Sequence, residues 1–187
     1  VVLATTGKLF FSGADLANRT SEGPIPERSI NPLYDQAVRL FSTELPIVAA
    51  VQGAAIGAGL GLALVADFRV ASPAAKFAAN FVKLGFHPGF GLTHTLPRVV
   101  GRHNAARMFL TGTRYEAEAA MWMGLVDQMV APEHLLKAAQ DMAAGLAENA
   151  PLAMRSTRKT LRADLAAAVR AATDHEFSEQ QWLMKTD

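Results

Sequence analysis

The feature that most constrains this chain is an uncharged segment of twenty residues, 47–66, which contains four glycines. Its first part, residues 47–51 (Ile-Val-Ala-Ala-Val), has the apolar composition of a buried strand, and residues 60–66 are predicted to form a buried helix. The glycines between them let the chain turn tightly and let other backbone come close. A strand that leads through a tight turn into a buried helix is typical of α/β proteins.

Two other interpretations of this segment fail on its details. Twenty uncharged residues could cross a bilayer, but this run contains Gln52, follows Pro46 directly and has no flanking cluster of Lys and Arg. The GxxxGxG pattern from Gly53 to Gly59 resembles a dinucleotide-binding turn, but Leu62 breaks the full GxGxxG pattern. A short-chain dehydrogenase also needs a Tyr-x-x-x-Lys pair, which neither of the two tyrosines provides.

Composition and charge exclude several further classes of function. Lys and Arg number 18 and Asp and Glu 17, so the net charge of +1 gives no general attraction to nucleic acid or to an anionic membrane. Cysteine is absent, which excludes disulfides, thiolate nucleophiles and cysteine-ligated zinc. The five histidines have none of the spacings of a zinc motif, and no metal site is predicted.

Short apolar strands alternate with helical patterns along the first part of the chain, which predicts an α/β architecture with largely buried, parallel strands. After residue 103 the pattern is mostly helical. Strands are predicted at 1–4, 47–51, 68–71 and 76–78, and helices at 33–44 (with Leu33, Ala37, Leu40 and Phe41 on one face), 60–66, 135–147 and 152–184. We divide the chain into a core at 1–130 and a helical C-terminal region at 131–187, which is not an independent domain.

Both ends of the sequence lie inside predicted elements. Val1 begins an apolar strand pattern, and the last residues continue a helical pattern without a stop signal. We therefore expect the complete protein to extend beyond both ends. No signal or transit peptide precedes Val1, so the expected location is the cytoplasm.

Two ordered motifs carry a family resemblance. Residues 10–16 (Phe-Phe-Ser-Gly-Ala-Asp-Leu) resemble the F-x-x-G-A-D-L motif of the enoyl-CoA hydratase/isomerase (crotonase) superfamily, and residues 46–64 resemble its second, glycine-rich motif. Weaker similarities continue in the family's order as far as Gly-Leu-Val at 124–126. The resemblance implies a crotonase-like (ClpP/crotonase) fold, a spiral of short ββα turns with a C-terminal helical trimerisation region. It also implies a homo-oligomer, either a trimer or a dimer of trimers.

The same resemblance implies an acyl-CoA thioester as substrate, bound through an oxyanion hole of two backbone N–H groups, those of Ala14 and Ala58. Ala58 opens the predicted helix, where N–H groups are unpaired and the helix dipole favours negative charge. The resemblance also assigns the stretch from Ser12 to Leu16 to the path of coenzyme A. The predicted substrate-binding residues are Ser12, Asp15, Leu16, Ala54, Ile56, Gly57, Asn80, Phe81, Pro88 and Gly89. A turn role for Asn80 and core packing for Phe81 are equal alternatives. Coenzyme A is part of the substrate, so no separate cofactor is expected.

The positions of the family's catalytic carboxylates are not acidic in this chain. The resemblance assigns the two hydratase glutamates to Gly61 and Phe81 and the isomerase acid to Gly89. A shift of register does not restore them, because residues 68–115 contain no Asp or Glu, and Asp67 matches a structural aspartate of the family. The sequence therefore predicts another oxyanion-hole reaction, such as isomerisation, decarboxylation or thioester hydrolysis, with a non-catalytic acyl-CoA-binding protein as the alternative.

Histidine is the remaining candidate for proton transfer. His87 lies in the Phe-His-Pro-Gly turn at 86–89, and the ordinary histidine pKa of about 6.5 suits acid or base catalysis. A partly exposed loop histidine is an equal alternative. A protease related to Clp is excluded because residues 58–61 contain no serine nucleophile.

The predicted helix after Pro151 is rich in basic residues: Arg155, Arg158, Lys159 and Arg162. No Asp or Glu occurs between residues 151 and 162. We interpret this group as a solvated helix face, with contact to the phosphates of coenzyme A as the alternative.

Overall fold

The computed structural model describes residues 1–13 and 32–186. The strands are β1 (Val2–Leu3), β2 (Val48–Val51), β3 (Ala54–Ile56), β4 (Phe68–Ala71), β5 (Lys76–Ala78), β6 (Tyr115–Glu116) and β7 (Gln128–Met129). The α-helices are α1 (Pro32–Phe41), α2 (Ala58–Val65), α3 (Leu92–Thr111), α4 (Ala117–Trp122), α5 (Leu135–Ala147), α6 (Pro151–Leu161) and α7 (Leu165–Leu183). Short 3₁₀ helices span Asn80–Leu84 and Pro132–His134.

The strands form two small sheets. The first has the order β1-β2-β4-β7 and is parallel throughout, and every residue of β2 is buried, as its apolar sequence requires. The second has the order β3-β5-β6, in which β3 and β5 are parallel and β6 is antiparallel to β5. The predicted α/β architecture is confirmed; β6, which the sequence does not predict, is the one antiparallel strand among the described residues.

Strand β3 is an element that the sequence does not predict. Gly53 and Gly57 flank it, so the segment has the composition of a turn rather than of a strand. The strand forms because it pairs with β5 on one side and with the backbone around Phe11 on the other: Phe11 N donates to Ala54 O at 2.9 Å, and Ile56 N donates to Phe11 O at 3.0 Å. The first motif and the glycine-rich motif are therefore joined by backbone hydrogen bonds.

The predicted helices are present, with corrections at their faces and ends. Helix α5 has the predicted bounds, whereas the single helix predicted over 152–184 is divided into α6 and α7 by a turn at residues 162–164. Helix α1 ends at Phe41 and buries Tyr34, Ala37 and Phe41. Leu33 and Leu40 are exposed, so half of the predicted apolar face is wrong.

The main core lies between one face of the first sheet, the second sheet and helices α1, α2, α3 and α7. A smaller core lies between the other face of the first sheet and α5. Helix α2 is apolar on all sides and is surrounded by protein. Asp67 follows α2 and connects its end to the start of β2 and to α6. Its Oδ2 accepts a hydrogen bond from Ile47 N at 2.8 Å and one from Arg158 Nε at 3.0 Å. In the described part of the chain, no helix is both long enough and apolar enough to cross a membrane.

Candidate active site

Ala58 is the first residue of α2 and lines a cavity of about 200 Å³. Its N–H has no partner within the helix because it belongs to the first turn. Gly57 precedes it with φ of 58°, and the Gly57 N–H donates to Ala78 O at 2.9 Å. The turn thus directs the chain so that the Ala58 N–H, which has no partner among residues 1–13 and 32–186, and the positive end of the helix dipole lie at the cavity.

The first motif reaches this helix through backbone contact. A Cβ atom added to Gly59 would lie 1.7 Å from Phe11 O, so only glycine allows the two segments to come this close. A Cβ atom on Gly13 would lie 3.8 Å from Ala58 N. The chain therefore passes directly beside the Ala58 N–H. The predicted site residues that follow, Ala14, Asp15 and Leu16, lie outside the described residues.

Most of the other predicted site residues surround the same cavity. Those that line it together with Ala58 are Ser12, Ile56, Gly57, Asn80, Phe81 and Gly89. Ala54 and Pro88 do not line it. The described lining contains no Asp or Glu, and its polar side chains are those of Ser12, Tyr34, Asn80 and Gln180.

Tyr34 and Gln180 are cavity residues that the sequence does not reveal. They lie 146 positions apart, and Tyr34 Oη donates a hydrogen bond to Gln180 Oε1 at 3.0 Å. Gln180 Nε2 in turn donates to the carbonyl oxygens of His87 at 2.9 Å and Pro88 at 3.3 Å. A Cβ atom on Gly89 would lie 2.1 Å from Tyr34 Oη, so the tyrosine hydroxyl fills the space that a side chain at position 89 would need.

Phe90 fills the corresponding space at position 61. Its side chain is buried, and a Cβ atom on Gly61 would lie 2.5 Å from Phe90 Cδ1. Phe90 holds this position with φ of 65°, a left-handed conformation that is strained for a bulky residue. The resemblance assigns acids to three positions, 61, 81 and 89. Gly61 and Gly89 have no room for a side chain, because Phe90 and Tyr34 fill that space, and position 81 is occupied by phenylalanine.

His87 lies beside the cavity without lining it. Its Nδ1 is 2.9 Å from Pro88 O, and its ring packs edge to face on His175 with centroids 5.8 Å apart. Gly89 and Phe86, on either side of it in the turn, do line the cavity. The role of His87 as an acid or base stays a prediction.

Glu176 is a buried carboxylate behind this turn. It accepts hydrogen bonds from Gly91 N at 2.7 Å, from Thr93 N at 2.9 Å and from Thr93 Oγ1 at 2.6 Å, so it caps the start of α3. Burial raises the pKa of Glu176, although these hydrogen bonds and the nearby His87 act to lower it. The sequence analysis missed it because α7 returns to the turn from 85 residues away. Among the described residues, no group of His, Asp and Glu is arranged to hold a metal ion.

We expect the buried Glu176 to make stability depend on pH. Because its pKa is raised in the folded protein, that state holds the proton more tightly than the unfolded chain does, and the free energy of unfolding falls as pH rises from about 4.5 through the raised pKa. The fall is about 1.4 kcal/mol for each pH unit between the two pKa values. Urea unfolding at a series of pH values measures it.

The Glu176→Gln variant is expected to lose this fall in stability, because glutamine does not titrate. Glu148→Gln is the matched control, since Glu148 is exposed at the end of α5, and it should keep the wild-type slope. An unchanged slope in Glu176→Gln would assign the pH dependence to another group.

Comparison with known proteins gives a consistent result. A family model described as enoyl-CoA hydratase/isomerase matches residues 1–187. A protein of Mycobacterium tuberculosis (strain ATCC 25618 / H37Rv), named "Probable enoyl-CoA hydratase EchA14", is 40% identical over 181 residues, which cover 96% of this chain and 70% of that protein. The fatty acid oxidation complex subunit alpha of Pseudomonas aeruginosa (strain LESB58) is 42% identical over 147 residues, which cover 76% of this chain and 21% of that subunit.

Solved structures agree with the sequence matches. The crystal structure of enoyl-CoA hydratase/isomerase from Pseudoalteromonas atlantica T6c superposes with a TM-score of 0.88 at 28% identity and covers 99% of this chain and 73% of that chain. The crystal structure of an enoyl-CoA hydratase from Mycobacterium avium has a TM-score of 0.80 at 30% identity, and the match covers 99% of this chain and 78% of that chain. The likeness thus extends over nearly the whole chain.

Proposed function

The chain belongs to the enoyl-CoA hydratase/isomerase family, and from this premise we propose that it acts on an acyl-CoA thioester by an oxyanion-hole reaction other than two-glutamate hydration. One observation carries the proposal: Ala58, whose backbone N–H has no hydrogen-bond partner among the described residues, lines a cavity whose described lining contains no carboxylate. A backbone donor at a helix start stabilises negative charge on the thioester oxygen. Hydration by this family's mechanism also needs two acids, and neither position 61 nor position 81 carries one.

Of the three reactions that the sequence leaves open, decarboxylation makes the least demand on this cavity. In a 2-carboxyacyl thioester, the bond from Cα to the carboxylate breaks, CO₂ leaves, and the electron pair moves to the thioester oxygen as an enolate. No side chain has to remove a proton from carbon. The described lining also contains no Asp or Glu that would repel the substrate's own carboxylate. Isomerisation, by contrast, requires a base for the Cα or Cγ proton.

The enolate then needs a proton at Cα, and Tyr34 is the proposed donor. Its hydroxyl oxygen lies 2.1 Å from where a Cβ atom of residue 89 would be, and residue 89 is the position at which the family's isomerases place an acid. The hydroxyl donates a hydrogen bond to Gln180 Oε1 at 3.0 Å. Transfer of the hydroxyl proton to carbon breaks its hydrogen bond to Gln180 Oε1 and leaves a tyrosinate, which solvent reprotonates. His87 remains the second candidate, because its turn borders the cavity although its ring does not line it.

A panel of thioesters tests the reaction class. We expect decarboxylation of methylmalonyl-CoA or malonyl-CoA above background, and hydration of crotonyl-CoA no faster than a control without protein. Release of CO₂ and loss of the enoyl absorbance measure the two reactions. Hydration of crotonyl-CoA well above background would contradict the proposal, and binding without any turnover would favour the acyl-CoA-binding alternative.

Tyr34→Phe and His87→Ala separate the two proton donors. Loss of a positioned acid lowers kcat by about 10²-fold or more, and we expect that loss in Tyr34→Phe with little change in KM. His87→Ala should keep kcat within a few-fold of wild type. The reverse pattern would assign the acid to His87 and leave Tyr34 as a packing residue.

A further inference from the structure

A second cavity, of about 710 Å³, lies at the opposite end of α2. The helix has eight residues and is therefore about 12 Å long. Ala58 at its start lines the first cavity, and Leu64 near its end lines the second. This volume falls within the range of roughly 300–1,000 Å³ that is typical of small-molecule sites. Nothing in the proposed reaction uses it.

Positive charge is in excess on the described lining of this second cavity. Its charged side chains are those of Arg69, Arg98, Arg158, Arg162 and Asp67. Asp67 is shared, since it lies 3.0 Å from Arg158 Nε and 3.6 Å from Arg162 Nη1. Asp67 therefore pairs with two guanidinium groups, whereas Arg69 pairs with Asp127 at 3.4 Å. Arg98 has no carboxylate partner within 4.0 Å among the described residues.

Arg158 and Arg162 have largely buried side chains. The interpretation of the basic group on this helix as a solvated face is therefore wrong for these two residues. Arg158 is only 8% exposed, and its Nη2 has no hydrogen-bond partner among the described residues. The Nη1 atom of Arg162 is likewise buried and without one. Burial lowers the pKa of Arg162, and the neighbouring arginines lower it further, whereas Asp67 raises it. An anion in the cavity would offset both the desolvation and the mutual repulsion of these cations.

The remaining walls of the cavity are apolar. They include Phe41, Leu64, Phe68, Val99, Met154 and Leu161. A small inorganic ion would leave this surface in contact with water, whereas an aliphatic chain would cover it. The arginines and the apolar walls together fit one molecule that has an anionic head and an apolar tail.

We propose that the second cavity binds an amphipathic anion, with its head group among Arg98, Arg158 and Arg162 and its aliphatic chain along the apolar walls. A carboxylate or a phosphate ester supplies the same oxyanion chemistry for the head. The site is independent of the oxyanion hole, because α2 separates the two cavities.

Calorimetric titration with octanoate, octyl phosphate and 1-octanol tests this proposal. Octanoate or octyl phosphate should bind at least tenfold more tightly than 1-octanol, which has the same chain without the charge, since hydrogen bonds to charged groups contribute about 1.5–3 kcal/mol. The tighter of the two anions identifies the head group. Absence of binding, or equal binding of 1-octanol, would overturn the proposal.

Variants locate the binding site. Arg98→Gln should weaken anion binding about tenfold, and Ala153→Phe should abolish it by filling the cavity from the exposed side of α6. Arg102→Gln is the control, because Arg102 is exposed on the same helix as Arg98 but does not line the cavity. Binding unchanged in both test variants would place the anion elsewhere. No binding, together with an oligomer that Ala153→Phe dissociates, would assign the cavity to a second copy of the chain.

Discussion

Replacing Gly59 with alanine is expected to destabilise the protein by about 3 kcal/mol or more. The added Cβ would lie 1.7 Å from the oxygen and 2.6 Å from the carbonyl carbon of Phe11, and both are backbone atoms that no rotamer change can move. The strain exceeds the gain of about 1 kcal/mol that alanine brings to a helix interior. Relief requires the Phe11 segment to move away from β3 and α2. Urea unfolding followed by circular dichroism measures the loss.

Gly145 offers the matched control for this substitution. It lies within α5, and a Cβ atom there meets nothing within 4 Å. Gly145→Ala should therefore raise stability by up to about 1 kcal/mol, because only the helix propensity changes. A Gly59→Ala variant as stable as wild type would mean that the two backbone segments are not in the close contact described above.

Ala58→Pro is expected to lower kcat/KM for the acyl-CoA substrate by about 10²- to 10³-fold, the usual effect of removing one oxyanion-hole donor. Proline has no N–H, and its fixed φ suits the first position of a helix, which is the place that Ala58 occupies. The substitution thus deletes the donor while α2 can still form. Steady-state kinetics measure the loss, and circular dichroism checks the fold.

The control for this variant is Ala58→Ser, which keeps the backbone N–H and adds one atom at the cavity. It should retain activity within about tenfold of wild type, since the proposed oxyanion donor remains. Equal losses in the serine and proline variants would mean that bulk at position 58, rather than the N–H, is what matters for activity.

The sequence predicts the bounds of those helices and strands whose own residues carry the apolar pattern of the element. Helix α5 and strands β4 and β5 have their predicted bounds, because each element carries its own apolar pattern. Strand β3 is missed because it forms by pairing with β5 and with the Phe11 segment, which lies more than forty residues away. On α1, Tyr34 is buried in preference to Leu33 because α7 packs against that side.

The candidate site is predicted only in part for the same reason. The position of Ala58 follows from a local strand–turn–helix pattern, and the cavity contains most of the residues assigned to it by resemblance. Gln180 and Glu176 could not be found from the sequence, because both lie on α7, which contacts the turn after Phe86 only through tertiary packing. The inward orientation of Arg158 was missed because its partner, Asp67, belongs to a distant element.

The packing of Phe90 against Gly61 also limits the order in which mutations can change this site. A glutamate introduced at position 61 alone would collide with the buried ring, so that single step should lower fitness before it adds a catalytic acid. Shortening Phe90 first would leave a cavity and an empty site. Gaining a glutamate at position 61 therefore costs stability at its first step, whichever of the two residues changes first, so the two changes have to occur together.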